Sequence, residues 1–232
     1  MGAGSGAYTP AEAALLVGLR TERVRRWTQG YSVKSSGAKR TASPLFRRQL
    51  PVVDGKIALS FLDLLEVLFV HAFLEEGVTM PTIRKAADEA ATVFKTTHPF
   101  SLRRFQTDGQ AIFAKFADER GVERLLHLGR GGQIVLAKVI EPLLRQLDRD
   151  ADTEQANRWW PLGKERRVVL DPTRVGGVPI IAGFGLPTRV LYRVHLAGDR
   201  IDKIADWYDV PVDHVRDAIA FEESRRQLRQ AA

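Results

Sequence analysis

The sequence predicts an α+β fold, mainly helical, in which two helical modules flank central β-hairpins. Three observations carry this. Apolar residues recur with helical spacing near both ends of the chain. Short alternating runs around Asp54-Gly55, Thr107-Asp108-Gly109 and Gly129 to Gly132 read as hairpins. The excess of positive charge lies wholly in the first quarter, beside the first helix pair.

The chain has 232 residues, 44% of them apolar, enough to build packed cores. It has no cysteine, which excludes disulfides and thiolate metal sites. The longest apolar stretch, residues 57–74, is broken by Asp63, Glu66 and His71 and follows a helical period, so no membrane span is expected. Residues 1–7 are Gly, Ala and Ser without the regions of a signal peptide, and a cytoplasmic protein is expected. Residues 1–56 hold 10 Lys and Arg against 3 Asp and Glu, which accounts for the whole net charge of +7. A surface that displaces counterions from phosphate needs this asymmetry.

In the first module, Thr9 caps a helix over 10–17 that has Pro10 at its first position. Gly18-Leu19-Arg20 makes the turn, and Thr21 caps a second helix running to about Thr28. Val24 and Trp27 lie on one face of it, leaving Arg20, Thr21, Arg23, Arg25 and Arg26 for solvent or phosphate. A basic second helix after a tight turn suits docking in a major groove. Short strands are expected over 45–50 and 56–59, joined at Asp54-Gly55, as a basic wing that adds Arg47, Arg48 and Lys56. Ser60 then caps a helix over 61–76, and Thr79-Met80-Pro81 opens another to about Lys95.

The order YTPAEAALLVGLRTERVRRW, then SFLDLLEVLFVHAFLEEGVTMPTIRKA, resembles the MerR family of winged helix-turn-helix regulators over about the first 95 residues. That resemblance implies that Arg25 grips phosphate, Thr21 and Glu22 sit near base edges, and Trp27 is core. Two departures stand out. Ile57 occupies the wing position where the family usually has arginine, and the family's long dimerising coiled coil is missing.

His98-Pro99-Phe100 breaks the second of these helices, and the polar run 148–155 reads as a linker. Trp159 and Trp160 follow, either anchoring a partner or packing on their own domain. Toward the C-terminus, a strand over 167–170 and a Gly- and Pro-rich stretch from Gly176 to Gly183 precede three helices. These are expected over 187–196, 200–208 and from 212 to about 229, with Asp199 and Asp209 near the starts of the last two.

The segments VVLDPTRVGGVPIIAG and DRIDKIADWYDVPVDHVRDAIAF resemble domain-of-unknown-function family 433, a small helical module common in VapB-like antitoxins. Phe184-Gly185 stands where that family usually shows Thr-Arg. The whole order is similar to antitoxin-like proteins encoded beside PIN-like ribonuclease toxins. Residues 199–223 hold 8 acids against 3 bases, so this second helix-turn-helix-like pattern should face protein rather than phosphate.

Catalysis needs a placed nucleophile, acid, base or metal. His71, His98, His127, His195 and His214 show no ligand spacing, and Asp202, Asp206, Asp209 and Asp213 read as caps and a solvated face. Neither a metal nor a cofactor is expected, nor is an enzyme.

The expected organisation is a tail over 1–7, a DNA-binding domain over 8–96, a central region and linker over 97–165, and a partner-binding module over 166–232. The resemblance implies an antitoxin of a type II toxin–antitoxin system, bound to operator DNA and to a PIN-like ribonuclease toxin, as a homodimer or toxin–antitoxin hetero-oligomer. Trp159, Trp160, Arg225, Arg226 and Arg229 are the residues expected to contact the toxin. The alternative is a one-component MerR-like regulator whose C-terminal region dimerises or senses a ligand.

Overall fold

The computed structural model describes residues 6–35, 38–105 and 141–231. These fall into two compact units. One comprises residues 8–35, 38–105, 141–144 and 150–156, and the other residues 6–7, 145–149 and 157–231. The class is α+β and mainly helical, as expected. The glycine turns near 107–109 and 129–132 lie outside the described residues.

In the first unit, helix α1 (Pro10–Val17) opens on a capping box: Thr9 Oγ1 accepts from the Glu12 N–H, and the Glu12 carboxylate accepts from the Thr9 N–H at 2.8 Å. Gly18, at φ 79 and ψ 36, turns the chain into α2 (Thr21–Gln29). The cap of α2 is Arg20, with no side-chain bond, so Thr21 is its first helical residue rather than its cap.

A hairpin follows at once, β1 (Tyr31–Ser35) paired antiparallel with β2 (Ala38–Ala42). This corrects the expected wing. No strand forms over 45–50, because Leu45 and Phe46 are buried and the Leu45 N–H donates to the Trp27 carbonyl at 2.7 Å. The turn at Asp54-Gly55 is present, closed by two backbone bonds between Val53 and Lys56. Beyond it, Leu59 pairs with Tyr8 instead of with the 45–50 segment.

Ser60 and Asp63 form a second capping box at the start of α3 (Phe61–Glu75). This helix is apolar on all sides and buried through most of its length, as a central core helix must be. Helix α4 (Met80–Phe94) is amphipathic and packs with Ile83, Ala86, Ala87, Ala90 and Phe94. Past its end Phe100 and Phe105 join Phe73, with the Phe100 and Phe105 ring centroids 4.9 Å apart edge to face. Fully burying each such ring stabilises by about 1.5–3 kcal/mol.

Polar groups are buried in the same core. Asp63 Oδ1 is hydrogen-bonded to His98 Nε2 at 2.8 Å, and both residues are inaccessible to solvent. Glu66 Oε1 accepts from the N–H groups of Phe100 (3.0 Å) and Ser101 (3.1 Å). Its Oε2 is buried without a hydrogen-bond partner among the described residues. Burial pushes the Glu66 carboxyl well above the ordinary carboxylate range. The two backbone donors oppose this, and the neighbouring Asp63 reinforces it.

The second unit is built on a five-stranded sheet in chain order: β3 (Leu147–Arg149), β4 (Ala156–Trp159), β5 (Val168–Leu170), β6 (Pro179–Ile181) and β7 (Leu186–Pro187). From β4 onward the pairing is antiparallel, with Trp159 opposite Leu170 and Val168 opposite Ile181. The run read as a linker is therefore the link between two strands. Asp150 Oδ1 accepts from the Asp152 and Thr153 N–H groups and builds the turn. Asp171 holds the bend after β5, accepting from Thr173 and, at 2.9 Å, from Arg158 Nε. Burial raises the Asp171 carboxyl, but these donors outweigh it and leave the group below its ordinary value.

Helices α5 (Thr188–Leu196), α6 (Ile201–Tyr208) and α7 (Val212–Ala231) complete this unit. Leu191, Ile204, Ala205, Val215 and Phe221 are buried. Asp217 ties α7 to the chain before β5, accepting from Arg166 Nη1 at 2.7 Å and the Arg167 N–H at 2.9 Å. Asp209, three residues before α7, also ends α6 in the left-handed conformation.

Candidate nucleic-acid interface

Helix α2 is fixed from beneath by buried Val24, Trp27 and Thr28. The Thr28 hydroxyl donates back to the Val24 carbonyl at 2.8 Å and so costs the helix no unsatisfied polar group. The opposite side is open: Arg20, Glu22, Arg23, Arg25 and Arg26 are exposed and Thr21 is half-buried. Arg25 Nη1 lies 3.8 Å from Glu22 Oε2, an exposed pair of small energetic weight. A phosphate can replace such a partner without leaving a buried charge behind. Trp27 is core, 5% exposed.

Arg47 and Arg48 meet the C-terminal end of α2. Arg48 Nε donates to the Thr28 carbonyl at 3.2 Å, one of the last carbonyls of the helix. Both arginines line a groove of ≈ 660 Å³ with Thr28, Gln29, Val52 and Ile57. Lys56 is exposed at the 53–56 turn. The structure thus gathers Arg23, Arg25 and Arg26 on one helix, with Arg20 as its cap, and sets Arg47 and Arg48 at its end.

Three further cations belong to the hairpin that was not expected: Lys34, Lys39 and Arg40. The signal for them was present. Ser36-Gly37 separates two runs of five residues, as a two-residue hairpin requires.

The residues expected to contact a toxin do not form one group. Trp159 is buried in β4, 3% exposed, and its indole N–H donates to Gln146 Oε1 at 3.1 Å. It packs on its own unit and is not an exposed anchor. Trp160 is half-buried and donates to Asp148 Oδ2 at 2.8 Å. Arg225 is largely buried, paired with Glu222 and stacked on Phe221 with its guanidinium carbon 5.4 Å from the ring centroid. Arg226 is exposed on α7, and Arg229 belongs to the last turns of that helix.

Of the histidines, His98 is held in the core. His71 is half-buried on α3, where burial lowers its pKa against the opposing pull of Glu75. His195 lies on α5 and His214 on α7, while His127 lies outside the described residues. Asp202 pairs with Arg200 and Asp213 with Arg216 on open helix surface. Among the described residues no cluster of His, Asp and Glu could hold a metal ion.

Residues 6–87 match a family described as "Putative DNA-binding HTH domain", and residues 168–221 match "Protein of unknown function (DUF433)". A curated relative, "Putative antitoxin VapB45" of Mycobacterium tuberculosis, is 29% identical over 222 residues, which is 91% of this chain and 92% of that protein. The likeness to a VapB protein runs nearly end to end. A crystal structure of Rv2018 from Mycobacterium tuberculosis superposes with a TM-score of 0.69 at 26% identity, covering 91% of this chain and 96% of that one. The fold is therefore shared across both units; the first family match lies in the first unit from residue 8 onward, and the second lies within the second unit.

Proposed function

We propose that this chain is the antitoxin of a type II toxin–antitoxin pair. Its first unit binds operator DNA through α2, and its second unit holds a PIN-like ribonuclease toxin in the cytoplasm. The observation that carries this reading is the near full-length likeness to a relative named as an antitoxin, with a helix-turn-helix family match at its N-terminus. The physical picture agrees with it. The exposed side of α2 with its cap Arg20 has four arginines against one glutamate, whereas residues 199–223 balance at five net negative charges and would repel phosphate.

Within this reading Arg25 holds backbone phosphate, Thr21 and Glu22 lie near base edges, and Arg47, Arg48 and Lys56 extend the contact along the backbone. Arg20, Arg23 and Arg26 add to the same field. Toxin contact falls to the exposed part of the second unit, with Arg226 on α7 the best placed of the five residues named from sequence. The protein works by binding and not by catalysis.

The test is co-expression of the tagged full chain with the product of the adjacent gene, followed by affinity capture. An antitoxin retains a small nuclease through washing in stoichiometric amount. If the neighbour passes through unretained, the reading gives way to a one-component regulator whose C-terminal region dimerises or senses a ligand.

A further inference from the structure

We infer that the outer face of α6, centred on Trp207, docks on the cationic RNA-binding surface of the toxin and occupies it in place of RNA. This deepens the antitoxin reading and rests on it.

Ile204 and Ala205 are buried and seat α6 on its own unit, which leaves Asp202, Lys203, Asp206 and Trp207 exposed on the outer side. Trp207 is 56% exposed. A scattered exposed valine or leucine is ordinary, but an indole held out on a helix belongs to the residue type most enriched among interface anchors. Lys203 steadies the ring: its Nζ stands 4.4 Å from the ring centroid and 3.5 Å from Asp199 Oδ1. Ordering the side chain before a partner arrives lowers the entropy lost on binding.

The carboxylates around the ring select the partner by charge. Asp202 is paired with Arg200, Asp199 with Lys203 and Asp213 with Arg216. Asp206 and Asp209, on either side of Trp207 in the chain, are exposed and have no ion-pair partner among the described residues. Because residues 199–223 balance at five net negative charges, the face repels nucleic acid and attracts a cationic surface. An enzyme that cleaves RNA has such a surface, since it must offer cations to phosphates and flat side chains to bases. Free carboxylates beside an exposed indole present the two features that such a surface recognises in RNA, negative charge and a π-face. Docking there denies RNA its seat without any chemistry.

The experiment uses the full-length chain and the purified product of the adjacent gene, with association and dissociation followed by surface plasmon resonance across a salt series. The variants are Trp207→Ala, Asp206→Asn/Asp209→Asn, and Val175→Ala as an exposed apolar position outside α6. Asparagine tolerates the left-handed backbone at 209, so the double variant keeps the turn. Trp207→Ala should bind about thirtyfold more weakly, chiefly through faster dissociation. The Asn pair should associate about tenfold more slowly at low salt and depend less on salt. Val175→Ala should bind as the wild type does, and a ribose-methylated, uncleavable RNA should compete with the chain for the toxin. Circular dichroism checks that each variant is folded; should Trp207→Ala lose its fold, the Asn pair decides alone.

Unchanged rates in both α6 variants overturn the inference and leave the antitoxin reading intact. Failure of the RNA to compete also overturns it, because the face would then sit away from the RNA-binding surface. An equal loss in Val175→Ala contradicts the placement on α6. A wild type that does not bind the neighbour's product removes the antitoxin reading and this one together. Lost self-association at unchanged toxin affinity would assign the face to a second copy of this chain and contradict the inference.

Discussion

His98 Nε2 and Asp63 Oδ1 are hydrogen-bonded at 2.8 Å in the core of the first unit, although 35 residues separate them in sequence. Asp63 also caps the first turn of α3 through the Ser60 N–H. One carboxylate therefore starts the core helix and anchors the segment that follows α4. Because no water reaches the pair, removal of either side chain leaves the other buried with a lost partner. His98→Ala is expected to lower unfolding free energy by about 3 kcal/mol in urea titration. A change as small as that of an ordinary surface substitution would show that the pair is not structural.

Glu66 gives a pH dependence of definite sign. Its folded-state pKa is raised by burial above its unfolded value of about 4.3. The group's contribution is fully present below the unfolded value. It is lost as pH rises from there through the folded value, because the unfolded chain releases the proton and the folded chain resists. Glu66→Gln keeps an acceptor for the Phe100 and Ser101 N–H groups and removes the titration. The variant should gain stability relative to wild type as pH rises to neutrality and above, and should lose that advantage in acid. Denaturation curves across this range test it. A constant difference at every pH would contradict it.

Gly30→Ala tests the joint between α2 and the hairpin. The added methyl meets the Ala42 carbonyl and the backbone sits at positive φ, so the loss should exceed about 1 kcal/mol. Gly55→Ala is a useful comparison, since a Cβ there meets no atom within 4 Å and only the φ cost remains. Equal losses in the two variants would mean that the hairpin base is not held as described.

Arg25→Ala should weaken operator binding and reduce the salt slope by about 1. Its pairing with Glu22 is exposed, so thermal stability should barely change. Unchanged DNA affinity and slope would remove Arg25 from the interface.

Three helices of the first unit were legible because their starts carry local chemistry, whereas α5 and α6 begin without a side-chain cap and were legible from apolar spacing. Thr9-Pro10, Ser60 with Asp63, and Thr79 with Pro81 are caps that act over three or four residues, and each stands where a helix begins. The sheet was less legible, because pairing depends on distant partners. Asp54-Gly55 is a strong turn signal, and apolar Leu45 and Phe46 before it look like half of a hairpin. In the fold those two side chains are buried and the Leu45 N–H is bonded to α2, while the plainer Ser36-Gly37 separates the paired strands in sequence. The polar run after β3 looked like a linker because Asp150 spends its carboxylate on backbone N–H groups within the turn. Trp159 illustrates the limit: in Arg158-Trp159-Trp160-Pro161 it can anchor a partner or pack on its own domain, and the pairing of β4 with β5 decides for packing. The cations of α2 could be named from sequence, since helical spacing alone puts them opposite Val24 and Trp27.

The central claim is that this chain neutralises a nuclease, and RNA cleavage by the product of the adjacent gene tests it most directly. The purified neighbour is incubated with RNA alone and with increasing amounts of the full-length chain. Cleavage is expected to disappear at stoichiometric addition and to persist when an unrelated basic protein is added instead. Cleavage that continues undiminished in a molar excess of the chain would contradict it.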